Sequence, residues 1–133
     1  MTYLLDTNTC IKYLNGRSET IRQHLETLVP QDIVMCSVVK AELFYGAIKS
    51  ANPAENLTKQ RRFVNHFISL PFNDQTAEVY AQLRTRLERS GTPIGPNDLL
   101  ITAIAVANNL TLVTHNTSEF ERVDGLQVED WEI

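Results

Sequence analysis

Three acidic residues, far apart in the sequence, stand where carboxylates could act together on a metal ion. Asp6 directly follows a short apolar run, Glu42 is the only acid in an otherwise apolar stretch, and Asp98 opens a long apolar segment. Carboxylates packed together repel one another, and each resists ionisation unless a cation balances the charge. Hard oxygen ligands suit Mg²⁺ or Mn²⁺. The three residues therefore predict a divalent-metal site if the fold brings them to one place.

Each acid also has a purely structural interpretation, which the sequence leaves open. Asp6 could be an N-cap, Glu42 an ordinary helix-surface residue, and Asp98 a first-turn charge favoured by the helix dipole. For any one acid alone the structural role is the better interpretation, because caps and ion pairs are common. Glu42 is the most informative of the three, since a lone acid among apolar residues needs a partner.

The elements that would position these acids alternate between strands and helices. Short apolar runs predict five strands, at Thr2–Leu5, Ile33–Cys36, Leu70–Phe72, Thr111–Thr114 and Leu126–Val128. The segments between them have helical spacing, with N-caps expected at Ser18, Ser37, Asp74 and Asn97 and helix ends expected at Gly16, Pro30 and Gly91. The helix after Asn52-Pro53 is expected to turn Leu57, Val64, Phe67 and Ile68 inward. This alternation is typical of an α/β fold whose parallel sheet is covered on both faces.

Parallel sheets bind their ligands just beyond the carboxyl ends of the strands. Asp6 comes at the end of the first predicted strand, and Asn116 follows the strand at Thr111–Thr114. Glu42 lies in the helix after the second strand, and Asp98 lies at a helix start that we expect on the same edge. We therefore expect the three acids to meet in one cleft.

Three further polar residues are expected at this edge of the sheet. Thr7 and Asn8 follow Asp6 directly, and Thr114 ends the late strand. Their side chains could orient a water molecule or a phosphate oxygen, although caps and turns use the same residue types. None of the three histidines is expected to be catalytic.

Composition limits what else the protein could be. At 133 residues the chain is long enough for a single domain over 1–133 with its own core. Its net charge of −4 argues against binding nucleic acid by overall charge, so such binding would need a metal or a local basic patch. Basic residues do cluster on two predicted helices, at Lys59, Arg61 and Arg62 and at Arg84, Arg86 and Arg89.

The sequence also predicts a cytoplasmic protein. Cys10 and Cys36 lie in apolar surroundings without metal or redox spacing, which is typical of reduced thiols. No apolar run approaches the roughly 20 residues of a membrane span, and the N-terminus has no signal-peptide pattern. We therefore expect no membrane partner.

Four short motifs, taken in order, resemble those of PIN-domain ribonucleases. They are Tyr3–Asn8, Ser37–Gly46, Ile94–Asp98 and Leu112–Phe120. Each is weak by itself, but all four in this order in a chain of this length are specific. More narrowly, the chain resembles the VapC toxins of bacterial toxin–antitoxin pairs, and the resemblance extends to the closing residues Val128–Trp131.

This resemblance implies both a fold and an activity. The fold would be a PIN-like three-layer α/β/α sandwich with a central parallel sheet. The activity would be that of an endoribonuclease dependent on Mg²⁺ or Mn²⁺, with Asp6, Glu42 and Asp98 as its acidic triad, which hydrolyses phosphodiester bonds in a tRNA or another structured RNA. The partners implied are the RNA substrate, a second copy of the chain in a homodimer, and a VapB-like antitoxin.

The resemblance leaves the fourth acid of the site open. Many PIN domains carry an acid where this chain has Asn116. Glu119, about one helical turn further on, could replace it, or could equally be a solvated helix residue.

Control by the antitoxin follows from the chemistry of an acidic pocket. A guanidinium is always charged and pairs bidentately with a carboxylate. We expect a disordered antitoxin tail to insert an arginine or lysine among the acids and to run beside the helices predicted at Ser37–Ser50 and Pro53–Leu70.

Two other classes of protein remain as alternatives. Phosphoryl-transfer domains also place an aspartate after the first strand, but a dehalogenase needs a second aspartate where this chain has Asn8. A receiver domain needs a lysine near the end of a late strand, and the segment 111–116 contains none. The second alternative is a PIN-like binding module without catalysis, which an intact triad makes less attractive.

Overall fold

A five-stranded parallel sheet lies at the centre of the computed structural model, which describes residues 2–133. The strands are β1 (Tyr3–Leu5), β2 (Ile33–Cys36), β3 (Ile68–Leu70), β4 (Thr111–Val113) and β5 (Gln127–Glu129), in the spatial order β3-β2-β1-β4-β5. All four neighbouring pairs are parallel. The predicted α/β class is confirmed. The strands β2 and β3 lie on one side of β1 and β4 and β5 lie on the other, so the strand order reverses beside β1. Open α/β sheets bind their ligands at such a point.

Within residues 2–133, seven helices connect and cover these strands. They are α1 (Thr7–Leu14), α2 (Glu19–Glu26), α3 (Ser37–Ile48), α4 (Pro53–Val64), α5 (Asp74–Arg89), α6 (Pro96–Ala107) and α7 (Thr117–Phe120), with a 3₁₀ turn at Pro30–Asp32. Every residue of β2 and β4 is buried. Because successive side chains of a strand point to opposite faces, both faces of the sheet must be covered, as a three-layer sandwich requires.

Several predicted helix starts are confirmed or displaced by one or two residues. Ser18 caps α2, where its hydroxyl accepts a hydrogen bond from the Ile21 N–H at 3.2 Å. The prediction for Asp74 is wrong, because Asn73 precedes it and caps α5 by accepting from Thr76 N at 3.0 Å. Ser37 is the first residue of α3, since β2 runs directly into that helix and leaves Cys36 in the cap position.

The start of α6 also differs from the prediction. Gly95 is the N-cap and Pro96 the first helical residue, a position that suits the fixed φ of proline. Asn97 therefore lies inside the first turn and is free to use its side chain elsewhere. Gly91, which ends α5, has φ +69°, as predicted for a left-handed residue after a helix.

The edge strand β3 corrects one core prediction. The sequence pattern predicts that Ile68 faces inward from a helix, but α4 ends at Val64 and Ile68 opens β3 instead. Its side chain is 68% exposed at the edge of the sheet. The strand thus lies slightly earlier than the predicted Leu70–Phe72.

The core fixes α6 firmly beside the sheet. Six residues of α6 are buried, namely Leu99, Ile101, Thr102, Ala103, Ile104 and Ala105. The main apolar cluster joins this helix to β1, β2 and β4, and a second cluster joins it to α5 through Leu83 and Leu87. Asp98 therefore stands at the end of a rigid, buried element. None of the helices within residues 2–133 is both long enough and apolar enough to cross a membrane.

Candidate active site

Asp6 stands at the carboxyl end of the central strand. Its backbone N–H donates to Val113 O at 3.0 Å, which extends the pairing of β1 with β4 by one residue. Its side chain is buried, and Oδ1 accepts a hydrogen bond from Thr9 N at 2.8 Å, so it caps α1. The capping role considered for Asp6 is real, and it holds the carboxylate at the edge of the sheet rather than excluding it from a site.

Glu42 is held by one donor on each side. Its Oε1 accepts from Thr7 Oγ1 at 2.5 Å, and its Oε2 accepts from Asn97 Nδ2 at 3.2 Å. The glutamate, half-buried on α3, thereby connects the first residue of α1 with the first turn of α6. Thr7 is among the predicted site residues, whereas the sequence around Asn97 indicates a cap and does not reveal this contact.

Asp98 is the electrostatic centre of the group. Its pKa is raised to about 6, chiefly by burial and then by the nearby carboxylates of Glu119, Asp6 and Glu42 and by a hydrogen bond with Glu119. The other three carboxyl groups thus lie close enough to affect Asp98, although they come from the N-cap of α1, α3 and α7. The structure brings the three predicted acids together and adds Glu119 to them.

Glu119 is not a solvated helix residue. One carboxylate oxygen accepts from Gly95 N at 2.9 Å, and the other accepts from the side-chain amide of Asn116. Asn116, which is exposed at the N-cap of α7, therefore orients Glu119. It does not take the place of Glu119 beside Asp98. Of the two candidates for the fourth acid, Glu119 is the one that lies beside Asp98.

The other predicted residues surround this group without joining it. Thr114 is fully buried, and its hydroxyl accepts from Asn116 N at 3.0 Å, which shapes the turn after β4. Asn8 is exposed, and its side chain makes no hydrogen bond within residues 2–133. His115 is exposed and has its Nδ1 3.0 Å from an Asp130 carboxylate oxygen, on a neighbouring part of the edge.

The donor set fits a divalent cation. Carboxylates supply it almost entirely, and such hard oxygen donors match Mg²⁺ or Mn²⁺ better than a metal that prefers nitrogen and sulfur ligands. Within residues 2–133 none of these four carboxylates forms a salt bridge, so no protein cation offsets their charge. The raised pKa of Asp98 has the same origin, because burial and crowded negative charge both favour its neutral form.

An open groove leads away from the carboxylates along α3. It has a volume of about 710 Å³ and includes Thr7 and Glu42 at one end and Tyr45 and Lys49 at the other. Tyr45 and Ile48 are large apolar residues of α3 that remain 65% and 61% exposed. Apolar surface of this extent beside a charged site is typical of a surface that a partner covers.

Comparison with known proteins identifies relatives of this chain. The PIN domain family matches residues 3–126. "Ribonuclease VapC2" of Rickettsia felis is 40% identical over 133 residues, which is 99% of each chain. "tRNA(fMet)-specific endonuclease VapC" of Salmonella typhimurium is 38% identical over 98% of each chain.

Solved structures show the same likeness in three dimensions. VapBC from Salmonella typhimurium, bound to DNA, matches with a TM-score of 0.92 at 37% identity over 98% of each chain. VapBC2 from Rickettsia felis, bound to a promoter DNA fragment, matches with a TM-score of 0.90 at 38% identity, covering 98% of this chain and 99% of that one. The chain therefore belongs to the PIN-domain family and, within that family, groups with the VapC proteins.

Proposed function

We propose that this protein is a metal-dependent endoribonuclease toxin that hydrolyses RNA phosphodiester bonds. The observation that carries the proposal is the convergence of Asp6, Glu42, Asp98 and Glu119 beyond the carboxyl end of β1, with no cation of residues 2–133 paired to them. A ribonuclease that uses a metal needs such an uncompensated acidic cluster. The relatives named ribonucleases support the same conclusion.

The acidic residues would hold Mg²⁺ or Mn²⁺. Asp6, Glu42 and Asp98 are the proposed ligands, with Glu119 as a fourth carboxylate. When bound, the ion lowers the pKa of a coordinated water and neutralises charge that develops on the phosphate. Thr7 and Asn97 fix the orientation of Glu42 by donating to one oxygen each. Asp98, whose pKa of about 6 keeps part of the population protonated in the metal-free protein, must release that proton to act as a ligand.

The substrate we propose is a structured RNA, with tRNA as the first candidate. A relative that is 38% identical over 98% of its length is named a tRNA(fMet)-specific endonuclease. Because tRNA is cytoplasmic, we place the activity in the cytoplasm.

An antitoxin of the VapB kind is the proposed inhibitor. The solved relatives are toxin–antitoxin complexes, and the groove along α3 joins the carboxylates to exposed apolar residues. We infer that an antitoxin segment lies in this groove and places an arginine or lysine among the acids, in competition with the metal. Ile48 of α3, which is exposed and does not line this groove, also supports a homodimer.

Cleavage of total tRNA and of an initiator tRNA transcript tests the function. We expect cleavage in Mg²⁺ or Mn²⁺ and none in EDTA, with new ends that carry a 5′-phosphate and a 3′-hydroxyl. Asp6→Asn, Glu42→Gln and Asp98→Asn should each reduce the rate by orders of magnitude while the fold is kept.

Glu121→Gln is a matched control for these substitutions. Glu121 is an exposed acid next to α7 whose side chain makes no hydrogen bond within residues 2–133. This variant should cut RNA as the wild type does. Cleavage that persists in EDTA, or wild-type rates in all three triad variants, would overturn the proposed function.

A further inference from the structure

A second cavity lies beside the first turn of α6. It has a volume of about 220 Å³ and lies between α5 and the turn that leads into α6. We call it the α5–α6 pocket, and its walls include Tyr80, Arg84, Leu87, Ile94, Pro96 and Leu99. Pro96 and Leu99 stand on either side of Asp98 in the sequence. The first turn of α6, which carries Asp98, therefore forms part of the pocket wall.

The aromatic wall of the pocket is fixed in place. The ring of Tyr80 packs edge-on against Phe72, with 6.0 Å between the ring centroids. Its hydroxyl accepts a hydrogen bond from Arg84 Nη1 at 3.1 Å, and Arg84 Nε lies 3.6 Å from a Glu88 carboxylate oxygen. A ring held at both ends loses little freedom when a ligand stacks on it.

The opposite wall, formed by the turn before α6, is held equally firmly. Arg122 Nη1 donates to Pro93 O at 3.0 Å, and Gly95 N donates to Glu119 at 2.9 Å. Both contacts come from α7 or the residues just after it. The pocket is thus formed before any ligand arrives.

The size and walls of the pocket indicate what it holds. It is smaller than the roughly 300–1,000 Å³ of sites for drug-sized ligands, and so fits a single heterocycle. An aromatic ring next to a guanidinium, between apolar walls, is the combination on which nucleic-acid bases stack. The carboxylate of Glu88 at the same mouth repels a phosphate group, but it can accept a hydrogen bond from a base amine.

The charges around the pocket favour RNA over other ligands. The chain has a net charge of −4, yet α5 carries the exposed arginines Arg84, Arg86 and Arg89, and Arg122 lies across from them. Guanidinium groups pair with backbone phosphates, and Arg84 is the arginine of α5 that lines the pocket. An RNA strand whose phosphates contact α5 would bring its bases to Tyr80.

We propose that the α5–α6 pocket takes up one unpaired nucleobase of the RNA, close to the scissile phosphate, and so contributes to the choice of cleavage site. This inference rests on the proposed function and deepens it. Tyr80, packed edge-on against Phe72, stacks on the base, and Glu88 accepts a hydrogen bond from a base amine. The pocket acts on specificity and takes no part in bond cleavage.

Removal of single bases tests this proposal. The substrate is the tRNA that the wild-type protein cuts in Mg²⁺, prepared with one abasic nucleotide at each position near the cut in turn. One position should matter most, and its loss should lower the wild-type kcat/KM about tenfold, the usual scale of one base–aromatic stack. Tyr80→Ala should lower kcat/KM on intact RNA by a similar factor and then be insensitive to loss of that base.

Two matched variants control for effects on the helix. Tyr80→Phe keeps the ring and should remain within about twofold of the wild type. Gln82→Ala changes an exposed residue of α5 outside the pocket and should keep the full sensitivity to base removal. A binding assay in an Asp98→Asn background, which prevents cleavage, uses 2-aminopurine at the sensitive position. Its fluorescence should be quenched when the RNA binds protein that retains Tyr80 or carries Tyr80→Phe, but not when it binds Tyr80→Ala.

Three results would overturn the proposal. In the first, every abasic RNA affects the wild type and Tyr80→Ala by the same factor. In the second, Tyr80→Ala cuts RNA normally but escapes antitoxin inhibition, which would make the pocket a peptide site. In the third, Tyr80→Ala changes the sedimentation of the protein, which would make it a contact between copies. If the wild type cuts no RNA in Mg²⁺, the proposed function fails first and this inference fails with it.

Discussion

The carboxylate of Glu119 accepts a hydrogen bond from the backbone N–H of Gly95 at 2.9 Å and thereby connects α7 to the turn just before Asp98. A Cβ atom at position 95 would lie 3.6 Å from Asp98 Oδ2 and 3.8 Å from Glu119 Oε1. The turn and the two acids therefore form one packed unit. This relationship explains how an acid at position 119 comes to lie beside Asp98.

Substitution of Glu119 and of Asn116 should have unequal effects. If Glu119 supplies the fourth carboxylate, Glu119→Gln should weaken binding of Mg²⁺ or Mn²⁺ by about tenfold or more. Asn116→Asp should change metal affinity less, because Asn116 contacts the acidic group only through Glu119. Calorimetric titration of both variants with Mn²⁺ provides the comparison. Tighter binding by Asn116→Asp, with no change in Glu119→Gln, would favour position 116 instead.

The stability of the metal-free protein should depend on the ionisation of Asp98. Its pKa of about 6 lies above the ordinary value of 3.8, chiefly because of burial and then because of Glu119, Asp6 and Glu42. Between those values the folded state binds more protons than the unfolded state, so stability falls as pH rises through this range and the loss is complete above about pH 6. For a half-buried carboxyl group, the expected loss is about 1 kcal/mol.

Urea unfolding in EDTA, compared between the wild type and Asp98→Asn, isolates this effect. The variant should be the more stable of the two near neutral pH, and the difference should shrink at low pH. Mg²⁺ should stabilise the wild type more than the variant. A difference in stability that does not vary with pH would show that burial and the neighbouring carboxylates do not raise the pKa of Asp98.

The hydrogen bond from Thr7 should matter for the orientation of Glu42. Thr7→Val keeps the shape of the side chain but removes the donor that lies 2.5 Å from Glu42 Oε1. Loss of such an orienting contact typically reduces metal affinity or activity by about 10- to 100-fold. Thr7→Ser, which retains a hydroxyl, should stay close to the wild type. Equal effects of the two substitutions would assign Thr7 a packing role instead.

A buried hydroxyl on α6 offers a test of stability alone. Thr102 is fully buried, and its Oγ1 has no hydrogen-bond partner within the part of the chain that the structure describes. Thr102→Val should therefore raise the free energy of unfolding by about 1 kcal/mol. Thr111→Val is the matched control, since the Thr111 hydroxyl is 3.1 Å from Gln127 Oε1 and its removal should be destabilising. Thermal unfolding of both variants decides the matter, and destabilisation by Thr102→Val would contradict the expectation.

The strand–helix alternation and the meeting of the three acids can be predicted because both follow from local patterns. Apolar runs indicate β1, β2 and β4, and a parallel sheet places residues after its strands on one edge. Contacts made by side chains across elements cannot be predicted in this way. Asn97 has the pattern of a cap because it follows Pro96, but the proline itself begins α6 and releases the amide to bind Glu42.

Ile68 and Glu119 are two further residues whose surroundings the local sequence does not predict. Ile68 is more exposed than its pattern indicates, and Glu119 makes more contacts. Helical spacing after Asn52-Pro53 predicts that Ile68 faces inward from a helix, yet Ile68 lies on an edge strand, and the position of a strand within a sheet is set by long-range pairing. Glu119 has the spacing of a surface residue, and its contact with Gly95 spans 24 positions of sequence. Neither relationship leaves a trace in the local pattern.

The order of strands in the sheet has a consequence for the ribosome that makes this chain. β1, which is synthesised first, pairs with β4, so Tyr3–Leu5 lie opposite Thr111–Val113. A nascent chain that ends within α5 already contains Asp6 and Glu42, but it lacks both Asp98 and the strand that flanks Asp6. The acidic cluster can therefore form only when translation is almost finished. A protein that attacks RNA would in this way be harmless to the machinery producing it until the last moments of its own synthesis.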